Sequence, residues 1–119
     1  MQDNVILELS LDFAERIVKL HIYLRDKKRE YVMSKQLLRA GTSIGANAHE
    51  AVYGQSPKDF ISKFSIALKE SAETMYWLRL LHRTKYITTE QFNSISKDCA
   101  ELIKILTAIV KTTKQQGDF

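Results

Sequence analysis

At 119 residues the chain has room for one domain around a single core and none for a second. Its 45% hydrophobic and 27% charged residues exclude a disordered polymer, and one proline with four glycines is too little punctuation for the frequent turns of an all-β fold. The net charge of +4 is too small to establish a nucleic-acid partner by itself, but it is unevenly placed: residues 1–15 hold four acids and no base, whereas residues 16–39 hold eight Lys or Arg against Asp26 and Glu30.

A first helix is predicted over about residues 10–28, where Phe13, Ile17, Leu20 and Leu24 fall on one stripe and Ser10 has the residue type of an N-cap. The apolar stretch Asn4–Leu9 before it reads either as an extended arm or as an early helical turn. A second helix is predicted over 34–53, after the charged turn Arg29-Glu30-Tyr31. Leu37, Gly41, Ile44, Ala48 and Ala51 form its seam, small enough for close helix approach, and Gly54 has the type for a left-handed end position. Beside the seam run Gln36, Ser43, Asn47 and Glu50, about a quarter turn away.

Ser56-Pro57-Lys58-Asp59 supplies an N-cap, a proline at the first helical position and an acid in the first turn, so a third helix is predicted over 57–83. Phe60, Phe64, Ala67, Ser71, Leu78 and Leu81 make one stripe, and Ile66, Trp77 and Leu80 make another. Apolar residues on two sides suit a helix that is central or pressed against another subunit. Thr88 to Gln91 matches a capping box and opens a fourth helix, predicted over 89–114, with the seam Phe92, Ile95, Cys99, Leu102, Leu106 and Ile109. Ile105 lies off that seam, and residues 115–119 read as a frayed tail. Four such helices joined by short turns are expected to form a single all-α domain over 1–119, an antiparallel up-down-up-down four-helix bundle.

Cys99 is the only cysteine, which excludes an intramolecular disulfide and points to a reducing cytoplasm. Met1-Gln2-Asp3-Asn4 lacks the basic opening of a signal peptide, and no window reaches the roughly 18 apolar residues of a membrane span, so no membrane contact is expected. His49-Glu50-Ala51-Val52-Tyr53 begins like a zinc protease motif, but Tyr53 stands where the second histidine would share the metal. His21 and His82 have no ligand at suitable spacing, and Cys99 sits on a core seam, where a thiol behaves as a small apolar group. Arg39–Gly45 contains two glycines but no P-loop lysine. The expectation is therefore no catalytic residue, no metal and no cofactor.

Two surfaces stand out. The up-down-up-down path puts the end of the first helix and the third connection at one end of the bundle, gathering Arg25, Lys27, Lys28, Arg29, Arg83 and Lys85. Bases there offset helix dipoles, and they also suit phosphates. Ser43, Asn47 and Glu50, with Glu70 and Glu73 and the compensating Arg39, form either a solvated face or a buried hydrogen-bonded layer that fixes helix register or subunit contacts.

The segments Gln36-Leu37-Leu38-Arg39-Ala40-Gly41-Thr42-Ser43-Ile44-Gly45-Ala46-Asn47, Glu50-Ala51, Ser56-Pro57-Lys58-Asp59-Phe60-Ile61, Lys69-Glu70-Ser71-Ala72-Glu73-Thr74 and Tyr76-Trp77-Leu78 carry a resemblance across nearly the whole chain. The sequence resembles the four-helix-bundle proteins encoded within intervening sequences of 23S ribosomal RNA genes. The resemblance implies a homopentameric barrel and a kinship in shape with the accessory variability proteins of diversity-generating retroelements, which bind nucleic acid and a reverse transcriptase. It implies fold or assembly roles for Ser43, Asn47, Glu50, Glu70, Glu73 and Trp77, and no catalytic residue. Two functions follow as expectations: a homo-oligomeric, non-enzymatic module that binds RNA or DNA through its basic surface, or a protein–protein adaptor without a nucleic-acid role.

Overall fold

The computed structural model describes residues 2–117, which form four α-helices and, among the described residues, no strand. They are α1 (Gln2–Asp26), α2 (Met33–Val52), α3 (Pro57–Arg83) and α4 (Thr89–Gly117). The fold is all-α, consistent with a four-helix bundle, and its extents of 51 × 22 × 21 Å match helices of this length lying along one axis. Each helix packs on two others in the cyclic order α1, α2, α3, α4, with α4 returning to α1. No helix is long and apolar enough to cross a membrane among the described residues.

The seams predicted for α2, α3 and α4 line the core. Leu37, Ile44, Ala48, Phe64, Ala67, Leu78, Leu81, Cys99, Leu102 and Leu106 are all buried, while Phe60 and Phe92 at the helix starts are partly covered. Both predicted N-termini on α3 and α4 form as expected. Ser56 Oγ accepts the N–H of Asp59 at 3.1 Å, and Thr88 and Gln91 satisfy each other, Gln91 N–H to Thr88 Oγ1 at 3.1 Å and Thr88 N–H to Gln91 Oε1 at 2.8 Å.

Three local expectations are corrected. Ser10 is not an N-cap: α1 is already helical from Gln2, and Ser10 is buried, its hydroxyl donating to the Leu7 carbonyl at 3.1 Å. The reason is Ile6, fully buried, which extends the Phe13, Ile17 and Leu24 seam upstream through Ser10 and resolves Asn4–Leu9 as helix. Gly54 does not take a left-handed conformation; Tyr53 (φ −95°, ψ 10°) ends α2. Gly54 is instead a close approach, since a Cβ there would lie 3.0 Å from the Glu50 carbonyl oxygen and 3.3 Å from Asp59 Cβ. α4 runs on to Gly117, beyond the predicted end, while Asp118 and Phe119 of the predicted tail lie outside the described residues.

Between the helices, small residues and polar clamps set the spacing. Gly41 lies against Ile17 and Gly45 against Ser10, while His21 Nδ1 donates to the Ser34 carbonyl at 3.1 Å, so α1 and α2 meet closely along their length. Across the other side of α1, Arg16 donates to Asp98 Oδ2 at 2.6 Å, Ser94 Oγ at 2.8 Å and the Ser94 carbonyl at 3.2 Å, tying α1 to α4.

Candidate nucleic-acid interface and assembly faces

The basic end is built from two helix terminations. Helix α3 stops in a Schellman arrangement, with Tyr86 N–H bonded to the Leu81 carbonyl at 2.9 Å and Lys85 N–H to the His82 carbonyl at 3.0 Å. This places Lys85 in the left-handed region, φ 69°, a position that usually selects glycine. After α1, Arg29 takes the same region, φ 55°, and Glu30 N–H bonds the Leu24 carbonyl at 3.0 Å. Glu30 then turns inward and accepts the first N–H groups of α2.

These two ends meet. An open cleft of about 360 Å³ is lined by Tyr23, Lys28, His82, Arg83, Lys85 and Tyr86, with Ile87, Thr88 and Thr89 completing it. Of the six bases expected to cluster, Lys28, Arg83 and Lys85 share this cleft; Arg25, Lys27 and Arg29 do not line it. Arg25 is held by its neighbour, Nε to Asp26 Oδ1 at 2.7 Å and Nη2 to Oδ2 at 3.2 Å. That hydrogen-bonded pairing raises the Arg25 pKa and lowers that of Asp26. No Asp or Glu lines the cleft among the described residues.

The cleft also has rings, which were not among the residues expected there. Tyr23, His82 and Tyr86 wall the cleft; His82 stacks on Phe92 with centroids 4.6 Å apart and 10° between planes, and its Nε2 lies 3.1 Å from Thr89 Oγ1. Lys28 Nζ sits 6.0 Å from the Tyr23 ring centroid. The interleaving of bases and rings in His82-Arg83-Thr84-Lys85-Tyr86 was the available signal.

The second expected surface divides. Arg39 bridges α2 to α3, Nη1 to Glu70 Oε2 at 3.2 Å and Nη2 to Glu73 Oε2, and Trp77 Nε1 also donates to Glu73 Oε2 at 3.0 Å. The Trp77 hydrogen bond, and after it the Arg39 one, holds the Glu73 carboxyl below its ordinary range, and Glu73 in turn raises Arg39. Ser43 and Asn47 turn back onto their own helix, Ser43 Oγ to the Arg39 carbonyl at 2.6 Å and Asn47 Nδ2 to the Ser43 carbonyl at 2.8 Å. Glu50 lies 3.9 Å from Lys63 Nζ. The face is thus a half-exposed network around Arg39, not a buried layer.

Apolar side chains also remain outside. Leu11, Val18 and Ile22 on α1 are 48%, 40% and 43% exposed, a stripe at sevenfold and fourfold spacing, and Ile66 and Tyr76 are exposed on α3. Cys99 is buried, its Sγ donating to the Ser71 carbonyl at 3.4 Å. No group of three or more His, Cys, Asp or Glu is placed to hold a metal ion among the described residues.

These features define an all-α, four-helix protein whose distinctive surfaces are a basic, ring-walled cleft and outward apolar stripes. The chain belongs to the 23S rRNA-intervening sequence protein family, whose model matches residues 2–108. It is similar to a crystal structure from Bacteroides thetaiotaomicron VPI-5482, described as a protein with unknown function from the S23 ribosomal protein family. The two share 57% sequence identity, with 93% of this chain and 99% of that chain covered and a TM-score of 0.91. No curated protein matches.

Proposed function

We propose that this chain is a non-enzymatic, cytoplasmic binding module that assembles with copies of itself and presents its basic end to RNA or DNA. The observation that carries the reading is the convergence of Lys28 with Arg83 and Lys85 on one cleft that no Asp or Glu lines among the described residues. Repeating that cleft in an oligomer multiplies weak phosphate contacts, because the second and later contacts are intramolecular. The pentameric count rests on the family resemblance.

An antiparallel up-down-up-down path supports the convergence. Ser10 lies at Gly45 and His21 at Ser34; Arg39 lies at Glu70 and Glu50 at Lys63. In each pair of contacts the position advances on one helix as it recedes on the other. Self-assembly is supported by the α1 stripe of Leu11, Val18 and Ile22 and by Ile66 and Tyr76 on α3, which the monomer leaves uncovered. A non-enzymatic role is supported by the burial of Cys99 and by hydrogen bonds at His21 and His49 that tie each ring to a helix carbonyl.

Binding of labelled RNA and DNA by anisotropy at rising salt tests the reading. Affinity at low salt that falls linearly on a logarithmic salt axis is expected, with a slope for single strands of about −2 for three phosphate contacts per protomer. No affinity at low salt, or none of this dependence, defeats it. The α1 stripe also favours a second reading, an adaptor that docks another protein there. Nuclease-resistant recovery of a protein partner, with no direct affinity for nucleic acid, would select the adaptor.

A further inference from the structure

Cations alone do not explain the shape of the cleft. A duplex presents a convex rod of phosphates with its bases stacked inside, and a flat basic surface suffices to meet it. Here the cations stand around a recess of about 360 Å³, within the range of small-ligand sites, and its walls are rings. Tyr23 and Tyr86 are partly buried against the core, which fixes them, while part of each side chain is left open to the cleft it lines. His82 is held from two sides by Phe92 and Thr89. Lys28, Arg83 and Lys85 are exposed around these rings.

We propose that the cleft between the end of α1 and the α3–α4 turn receives an unpaired nucleotide, its base against Tyr23 and Tyr86 and its flanking phosphates on Lys28, Arg83 and Lys85. The inference rests on the nucleic-acid reading above and narrows its ligand to single-stranded RNA or DNA. Fixed rings offer a π-face to any base, so recognition is tolerant of sequence, and the cations track the backbone on either side. Charge density by itself predicts the opposite order of affinities, because a duplex neutralised by the same cations releases more counterions than a single strand. Preference for the single strand therefore reports entry into the recess, and loss of affinity on removing the bases reports base contact within it.

The wild-type protein is titrated by anisotropy at fixed low salt with a labelled mixed-sequence single strand, the same sequence as a duplex, and a single strand whose bases have been removed. The base-bearing strand should bind most tightly, and the abasic strand roughly tenfold more weakly, the loss set by one stacked base. Tyr23→Leu should reproduce that loss for the single strand and leave the duplex unaffected, whereas Lys85→Gln should weaken every probe. A duplex bound as well as the single strand, or an abasic strand bound equally, overturns the inference and leaves the phosphate reading standing. Absence of binding to all probes overturns that reading as well. The abasic comparison uses only wild-type protein, so it decides the matter even where Tyr23→Leu loosens the fold.

Discussion

Ser34 closes the start of α2 on Glu30 by two hydrogen bonds that it donates: its N–H to Glu30 Oε2 at 2.7 Å, and its Oγ to the Glu30 carbonyl at 2.7 Å. Glu30 Oε1 also accepts from Val32 N–H at 3.1 Å and Met33 N–H at 3.0 Å. One buried carboxylate thus satisfies three amides at the positive end of the helix, replacing the missing side-chain cap at Val32. Glu30→Ala should cost about 2 kcal/mol in urea denaturation, in the range of lost caps and charged hydrogen bonds. Glu30→Gln, which keeps one acceptor oxygen, should cost about half as much. Equal stability of all three proteins would show that water caps α2 as well as Glu30 does.

Gly41 and Gly45 differ in what an added methyl would meet. A Cβ at Gly41 would lie 2.7 Å from Ile17 Cγ1 and 2.8 Å from Cγ2, whereas at Gly45 the nearest atom is Ser10 Oγ at 3.2 Å. Gly→Ala in a helix interior gains about 1 kcal/mol of propensity, and overpacking a fixed core costs about 1–3 kcal/mol. Gly41→Ala should therefore destabilise, and Gly45→Ala should be close to neutral. In an Ile17→Ala background the obstructing atoms are gone, so Gly41→Ala should become stabilising there. A Gly41→Ala cost that persists in that background would place the strain elsewhere.

Burial pushes the Cys99 thiol from its ordinary value of 9.0 up to about 12. Thiol reagents at neutral pH should therefore label Cys99 only through unfolding, at a rate that tracks stability. The linked effect on stability has a definite sign. Below pH 9.0 the thiol is neutral in both states; between 9.0 and about 12 only the unfolded chain ionises, so stability falls as pH rises. The advantage of wild type over Cys99→Ala should shrink by up to about 1.4 kcal/mol per pH unit across that window. A difference independent of pH would mean that the thiol ionises inside the fold.

Much of this was legible before the structure, where local signals sufficed. The 3.6-residue seams of α2, α3 and α4 and the caps at Ser56 and Thr88 depend only on neighbouring residues, and they form as read. Ser10 misled because a small hydroxyl serves equally as a cap or as a buried contact, and only the burial of Ile6 decides between them. The left-handed positions fell on Arg29 and Lys85 while Gly54 avoided one, which residue type does not announce. The union of Lys28, Arg83 and Lys85 followed from helix order. The contributions of Tyr23 and Tyr86 did not, because the direction a ring takes beside a turn is set by the packing of the other helix.

On α1, Leu11, Val18 and Ile22 face away from the core, and Val18 lies at the middle of the stripe. A charge there costs the monomer little, within about 0.5 kcal/mol for an exposed substitution, but disfavours any apolar contact between copies. Val18→Asp should lower the sedimenting mass at micromolar concentration while leaving the unfolding midpoint at high dilution unchanged. If wild type assembles and Val18→Asp assembles equally well, the contact lies on another face, for which Ile66 and Tyr76 on α3 are next to be charged. A wild-type monomer ends the self-assembly reading.

Lys85 sets stability against the proposed binding at one position. Its φ of 69° costs a residue bearing a Cβ about 1 kcal/mol that glycine does not incur. Its charge, near the end of α3, offsets the dipole by about 0.3–1 kcal/mol and lines the cleft. Two variants separate these contributions. Lys85→Gln keeps the Cβ and removes the charge, so it should lose a few tenths of a kcal/mol and weaken nucleic-acid binding. Lys85→Gly removes both, so it should exceed Lys85→Gln in stability by about 1 kcal/mol while binding no better. Both should flatten the logarithmic salt dependence by about 0.7 per site for a single strand, the share of one phosphate contact. Arg29→Gly makes the control: it relieves the same backbone penalty at φ 55° outside the cleft, and should stabilise with a smaller effect on binding. If Arg29→Gly weakens binding as much as Lys85→Gly does, the contact is diffuse charge at this end of the bundle and the cleft has no special part in it.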